Sequence, residues 1–278
     1  MTPQKKILKI SSIHNSKIKH ILSLSKSSER KEKKLFVIEG LREISVAAAN
    51  NIEIVSLFYC AGVLTKEAAG WLRSYKNVSE SFEVSRQVYS RIAYRENIDG
   101  LVVIARAKDI DLNELDPGRN PLILVLESVE KPGNLGAILR SADAARINAV
   151  IICDPTTDIY NPNVIRSSIG CIFSNQVVTC TSESAIAFLD SKKIRIYAAA
   201  LQDAVPFTEV DFSGSTAIVI GSEAKGLSAI WREKAYQVIK IPMSGMADSL
   251  NVSVSAALLV FEAVRQRMSK GNQFNRKY

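Results

Sequence analysis

Cysteine is scarce and scattered: four in 278 residues, Cys60, Cys153, Cys171 and Cys180, with no C-x-x-C pair. That spacing excludes a zinc ribbon or a dithiol redox motif and suits a reducing cytosol. Histidine is scarcer. His14 and His20 are the only two, both in a basic N-terminal segment. A Ser-His-Asp triad elsewhere in the chain therefore lacks its base, and no His/Cys/Asp cluster has metal-ligand spacing, so no metal is expected. No apolar run reaches the ~18 residues of a membrane helix, and the opening MTPQKKILKI has no apolar signal core. The expectation is a soluble, cytoplasmic protein. A hydrophobic fraction of 47% and a charged fraction of 23% exclude disorder.

What is present in excess is positive charge, and it is unevenly placed. The net charge is +8; residues 1–34 carry ten Lys/Arg against two Glu, and residues 263–278 carry five Lys/Arg and no acid. The intervening 228 residues are net −5. Charge at the chain ends is either a solvated tail or a phosphate-binding footprint. The first segment favours the footprint, because Ile13, Ile18, Ile21, Leu22 and Leu24 are interleaved with its lysines.

Periodicity divides the chain in two. Residues 13–26 read as an amphipathic helix and SSERKEKK (27–34) as a polar connector. LFVIEG (35–40) reads as a strand entering the helix LREISVAAANN (41–51). IEIVSLFYC (52–60) and LVVIARA (101–107) read as strands, and TKEAAGWLRSY (65–75) as a helix with Thr65 as N-cap. This alternation predicts a small α/β domain over 1–108. Residues 109–120 are polar, contain the turn pair Pro117-Gly118, and read as a linker.

The second domain, 121–278, opens on PLILVLESV, a run suited to a parallel strand buried on both faces. A Gly-rich turn EKPGNLG and a helix over 137–147 follow. Further strands are expected at 148–154, 176–180, 194–200, 216–221 and 237–241, and a last helix at 249–268 with Ser249 as N-cap. The fold class predicted is α/β: an open, mostly parallel sheet with helices on both faces. The last helix is apolar nearly all round, through Val252, Val254, Leu258, Leu259, Phe261 and Val264, so burial on several sides is expected.

Ligands in such sheets sit beyond the carboxyl ends of the strands. Three segments place glycines and polar residues there: Glu127 to Arg140, Ile220 to Leu227, and Ile241 to Asn251. Gly133 and Gly136 give only half of a dinucleotide fingerprint. The stretch from Gly221 is spaced like a P-loop, but Leu227 stands where the phosphate-binding lysine belongs. Catalysis here must rest on Arg, Asn, Ser, Glu and backbone groups, which orient and polarise but are poor bases. The substrates must bring much of the reactivity.

Together the three segments resemble the motifs of the SpoU (TrmH-type) RNA ribose 2′-O-methyltransferases of the SPOUT superfamily. The first is Asn134, Gly136 and Arg140; the second is Gly221, Glu223, Gly226 and Leu227; the third is Ile241 to Val254 without a gap. NPNVIRSSIGCIF (161–173) resembles the stretch between the first two. Residues 10–106 resemble the L30e-like RNA-binding domain of the rRNA branch, through Ser12 to Lys19 and the run FVIEGLREI.

The resemblance implies a C-terminal trefoil knot that binds S-adenosylmethionine as methyl donor, a homodimer partly formed by the last helix, and an RNA substrate. A 23S rRNA is favoured over tRNA because of the separate N-terminal domain. A non-catalytic RNA-binding or ribosome-assembly protein on the same fold is the remaining alternative. It implies donor contacts at Leu201, Gly221, Ile241, Met243 and Leu250, and catalytic roles for Arg140, Asn134, Ser249, Asn251 and Glu223. Arg140 would be the catalytic residue, with Glu223 paired to Arg140 or to a nearby backbone N–H. Ala198-Ala-Ala200 departs from the family's usual Ala-Thr, removing one hydroxyl.

The charge distribution carries a test. If about six of the terminal basic residues neutralise phosphates, RNA affinity should fall with salt at a log–log slope of roughly −4 to −5, at ~0.7–0.9 per phosphate. Fluorescence anisotropy with a 23S rRNA transcript checks this, and a slope near zero would make the charge a solvated tail.

Overall fold

The computed structural model describes residues 8–75, 77–94, 99–108 and 110–271. Four of the terminal basic residues, Lys5, Lys6, Arg276 and Lys277, lie outside them. The chain forms two compact units. Unit 1 is Met1–Lys108 with Asp158–Ser174; unit 2 is Asp109–Thr157 with Asn175–Tyr278.

Unit 1 begins β1 (Leu8–Ile10), α1 (Ser16–Ser23), α2 (Ser27–Lys33), β2 (Leu35–Glu39), α3 (Leu41–Ala49) and β3 (Ile54–Tyr59). It continues α4 (Lys66–Ser74), β4 (Glu80–Val84), α5 (Arg86–Ile92) and β5 (Leu101–Arg106). The five strands make a mixed sheet in the order β1-β4-β3-β5-β2. Thr65 caps α4 as expected, its hydroxyl accepting from the Ala68 N–H at 3.1 Å. The expected helix over 13–26 is shorter. Asn15 caps it, accepting from the Lys17 N–H, and Ile18 and Ile21 turn its apolar face into the core.

SSERKEKK is a helix and not a connector, because Arg30 gives it an inward anchor. Arg30 is 5% exposed; its Nε lies 2.6 Å from Asp158 Oδ2, and its Nη1 donates to the carbonyls of Leu24 and Ser25. Ser27 Oγ donates to the same carboxylate. A buried ion pair holds its ground only when its remaining donors and acceptors are matched in this way.

Unit 2 runs β6 (Leu122–Glu127), α6 (Pro132–Ala144) and β7 (Ala149–Cys153). The chain then enters unit 1 as α7 (Pro162–Ser167) before returning. It resumes with β8 (Val177–Cys180), α8 (Ser182–Ser191), β9 (Arg195–Ala199), β10 (Val205–Pro206) and β11 (Thr216–Ile220). It closes with α9 (Ala229–Lys234), β12 (Gln237–Lys240) and α10 (Val252–Ser269). The seven strands are ordered β10-β12-β9-β11-β6-β7-β8, and every pairing is parallel. β6, β7 and β11 are buried along their whole length, as the apolar runs 122–126, 149–153 and 217–220 within them require.

Two domain boundaries differ from the sequence expectation. Residues 158–174, placed by sequence in the second domain, group with unit 1. Their side chains find partners there: Phe36 stacks on Tyr160 with ring centroids 4.3 Å apart and lies 5.8 Å from Phe173. Gly170, at φ 84°, presses so close to α3 that a Cβ would stand 3.2 Å from Glu43 Cα. The 109–120 stretch is no free linker either, since Leu115 is buried in the unit 2 core with Ile110 and Leu112 against it.

Helix ends shift as well. α6 starts at Pro132, inside the expected Gly-turn, since proline suits the first helical position. α10 starts at Val252 with Asn251 as N-cap, accepting from the Ser253 N–H at 3.0 Å, so Ser249 is not the cap. α10 buries Leu259, Val260, Ala263 and Val264 but leaves Val254, Leu258 and Phe261 nearly half exposed. Burial on all sides is thus not met within one chain. Its far end is tied down by Arg267, 6% exposed, which donates to the carbonyls of Phe212, Asn120, Pro121 and Gly214. Among the described residues no helix is long and apolar enough to cross a membrane.

Removing residues 1–108 takes Phe36 and Arg30 away from Tyr160 and Asp158. Limited proteolysis of the 109–278 fragment should therefore cut within 158–174 much faster than in the full chain. Equal protection would show that the segment holds its structure without unit 1.

Candidate active site

Beyond the carboxyl ends of β9, β11 and β12 lies a cavity of ≈ 710 Å³. That falls within the ~300–1,000 Å³ usual for small-molecule sites. Its walls are the three loops that leave these strands. Leu201, Gly221, Ile241, Met243 and Leu250, the five donor contacts implied by the resemblance, all line it. Ile220, Ile239 and Leu259 add apolar surface, while Glu223, Ser249 and Asn251 bring polar groups to the same wall. Leu201 is 60% exposed and Leu250 36%, so the cavity has an open mouth.

The loop after β11 folds on itself. Gly226 donates its N–H to the Ser222 carbonyl at 2.9 Å, and Ser222 Oγ accepts from the Lys225 N–H. This hairpin presses backbone on backbone at Gly221, where a Cβ would stand 2.1 Å from the Gly226 carbonyl oxygen. No side chain can shift to relieve that contact, so glycine is the only residue the loop accepts. Gly226 itself sits at φ 67°, in the left-handed region.

Glu223 gathers the three motif segments. Its Oε1 accepts from Asn134 Nδ2 at 2.9 Å and Asn251 Nδ2 at 2.8 Å, and its Oε2 lies 2.6 Å from Lys131 Nζ. Asn251 Nδ2 also reaches Asn134 Oδ1 at 3.3 Å. The hydrogen bond from Lys131, foremost, and one from the Val252 backbone hold the Glu223 carboxyl below its usual range, and Glu223 in turn raises the Lys131 ammonium. Glu223 thus stays ionised at neutral pH, is a weak base, and spends both oxygens on organising its neighbours.

Of the residues singled out by sequence, the fold brings Asn134, Glu223 and Asn251 into one hydrogen-bonded group. Ser249 lies beside the cavity and donates to Asp248 Oδ1 at 3.3 Å. Arg140 is apart. It is more than two turns into α6, is exposed, and does not line the cavity. It makes no side-chain hydrogen bond or ion pair among the described residues; of the two partners expected for Glu223, the backbone N–H is met at Val252, Arg140 is not, and Lys131 is added. Lys131 was missed from the sequence, although it lies inside the first motif segment; Lys225, Arg232 and Lys240, also on the cavity wall, carried no motif signal. Ala199 and Ala200 line the cavity where the family's usual threonine would add a hydroxyl. Among the described residues no group of three or more His, Cys, Asp or Glu could hold a metal ion.

Two family models match the chain. The SpoU rRNA Methylase family matches residues 121–261, and the MRM3-like substrate binding domain matches residues 15–103. The chain is 29% identical to the 23S rRNA (guanosine(2553)-2′-O)-methyltransferase RlmP of Bacillus subtilis, over 91% of this chain and 97% of that one. It is 32% identical to the 23S rRNA (guanosine-2′-O-)-methyltransferase RlmB of Haemophilus ducreyi, over 84% of this chain and 98% of that one. The crystal structure of the SpoU methyltransferase AviRb from Streptomyces viridochromogenes, in complex with the cofactor AdoMet, superposes with a TM-score of 0.85 at 27% identity, covering 92% and 99% of the two chains.

The glycine geometry gives a paired test. Gly221→Ala should lower S-adenosylmethionine affinity at least about ten-fold, because the Cβ must push apart the loop that forms the wall. Gly133→Ala, whose Cβ meets nothing within 4 Å, should leave it unchanged. Isothermal titration reads both.

Proposed function

The chain belongs to the SpoU rRNA methylase family, and on that footing we propose that it transfers a methyl group from S-adenosylmethionine to a ribose 2′-hydroxyl of 23S rRNA. The observation that carries this reading is the donor-sized cavity whose wall is built by the second and third motif segments, with Glu223 tying all three together. A substrate of this kind puts the enzyme in the cytoplasm.

The residues present fit the donor. Apolar walls at Ile241, Met243 and Leu250 suit a flat adenine, and the glycine loop offers main chain at close range. Bound S-adenosylmethionine supplies a methyl group on a cationic sulfonium, so no metal or covalent enzyme intermediate is needed. The protein's share is alignment, worth up to ~7–11 kcal/mol when reacting atoms are held in line. Asn134 and Asn251, fixed through Glu223, are the groups in place to orient the ribose. Ser249 offers a further hydroxyl at the cavity wall.

As the methyl leaves sulfur for oxygen the hydroxyl proton passes to solvent water at the open mouth of the cavity, because no neutral base lines it among the described residues. Arg140 takes the catalytic role in this reading by stabilising the developing alkoxide or the adjacent phosphate, the work to which a guanidinium's fork of donors is suited. It lies outside the cavity of its own chain, which supports completion of the site by a second copy. The exposed stripe Val254, Leu258, Phe261 and Met268 on α10 supports the same homodimer, because these positions share one face of the helix. The trefoil knot implied by the family belongs to this reading as well.

The test is methyl transfer from labelled S-adenosylmethionine to a 23S rRNA transcript, followed by nuclease digestion. Label in 2′-O-methylnucleosides is expected; label confined to tRNA, or absent, would overturn the reading. Arg140→Ala should abolish transfer while leaving donor affinity within a few-fold, and equal loss of both in a folded variant would remove Arg140 from the catalytic role.

A further inference from the structure

Unit 1 contains a second, smaller cavity that no part of the donor site uses. Its volume is ≈ 180 Å³, and it is enclosed by α1, β2, α5 and α7. Its floor is apolar: Ile21, Leu24, Ile92 and Ile165 line it and are all buried. Its rim is different. Arg91 and Arg166 are exposed there, and neither guanidinium has a hydrogen bond or ion pair among the described residues. Tyr94 stands beside them, 60% exposed, with its backbone N–H fixed on Glu39 Oε2 at 2.9 Å.

We infer that this cavity receives one unstacked nucleobase of the RNA substrate, with Tyr94 as its stacking platform and Arg91 and Arg166 on the flanking phosphates. The inference rests on the RNA-methylating function proposed above. Three features select this occupant. The volume lies below the ~300–1,000 Å³ of sites for larger ligands, which leaves room for a single planar heterocycle. An apolar slot beside an exposed aromatic suits a base face, whereas a phosphate alone would gain nothing from the buried isoleucines. Two guanidiniums that make no ion pair among the described residues, although Glu39 also lines the cavity, complement the backbone on either side of a splayed base.

The placement also gives a role to the segment that changes units. Ile165 and Arg166 come from α7, outside the 15–103 match, so residues 158–174 close a pocket that the N-terminal segment leaves open. The Arg30–Asp158 ion pair and the Phe36–Tyr160 stack hold that wall in position.

The test uses the full-length protein and a 23S rRNA transcript as probe. Tyr94→Ala should weaken binding roughly five- to twenty-fold with the salt slope unchanged, because stacking releases no counterions. Tyr94→Phe, which keeps the ring, should bind within two-fold of the parent. The double variant Arg91→Gln, Arg166→Gln should make the slope shallower by about 1.5, at ~0.7–0.9 per phosphate. With 4-thiouridine in the transcript, ultraviolet crosslinks should map to peptides containing 91–94 or 162–166. Donor affinity, read by titration, should not move in any variant. If the parent binds and methylates the RNA while Tyr94→Ala binds as tightly as the parent, or crosslinks avoid both peptides, the base pocket falls and the methyltransferase reading stands. A parent that binds and methylates no rRNA overturns both.

Discussion

Every strand of the seven-stranded sheet runs in the same direction, and the site follows from that constraint. Parallel strands need a crossover after each one, so all their carboxyl ends, and the loops that leave them, collect on one side of the sheet. β6, β7 and β11 are apolar over 122–126, 149–153 and 217–220, as strands covered on both faces require. Polar residues are thereby expelled to the strand ends. Glu127, at the end of β6, illustrates the result: it accepts from the Ser228 N–H and hydroxyl, and so fastens the exit of the loop that begins at Gly221.

Within that collection of loops, a single carboxylate sets the order. Glu223 draws Lys131, Asn134 and Asn251 together from α6 and from the cap of α10, segments more than 110 residues apart in sequence. Its ionised state is secured by the neighbouring ammonium, so the cluster is stable at neutral pH and does not act as a base. The chemistry proposed for this site asks for little more, since the donor is activated before it binds and the protein has mainly to align two reactants.

The two units divide labour along an unexpected line. Residues 158–174 lie between two strands of the parallel sheet yet pack with the N-terminal unit, through a buried ion pair and a stacked aromatic pair. The same segment supplies one wall of the small cavity in that unit. The crossover between β7 and β8 thus leaves its own sheet and belongs, in packing, to the N-terminal unit.

Sequence alone determined the class of the fold and the segments from which the candidate site is built. Long apolar runs dictate buried parallel strands, and the segments holding Asn134, Gly221, Glu223 and Asn251 are legible because glycines and polar residues gather beyond the strand ends. Tertiary structure alone decided the partners. Lys131 rather than Arg140 pairs with Glu223, because pairing depends on where α6 starts, and Pro132 starts it earlier than the glycine pattern implied. The connector SSERKEKK became α2 because Asp158, 128 residues away from Arg30, offers it a buried partner. The necessity of Gly221 comes from a contact with Gly226 across a hairpin. Periodicity reports which face of an element is apolar, whereas the atom that meets it comes from elsewhere in the chain and is fixed only when the chain closes on itself.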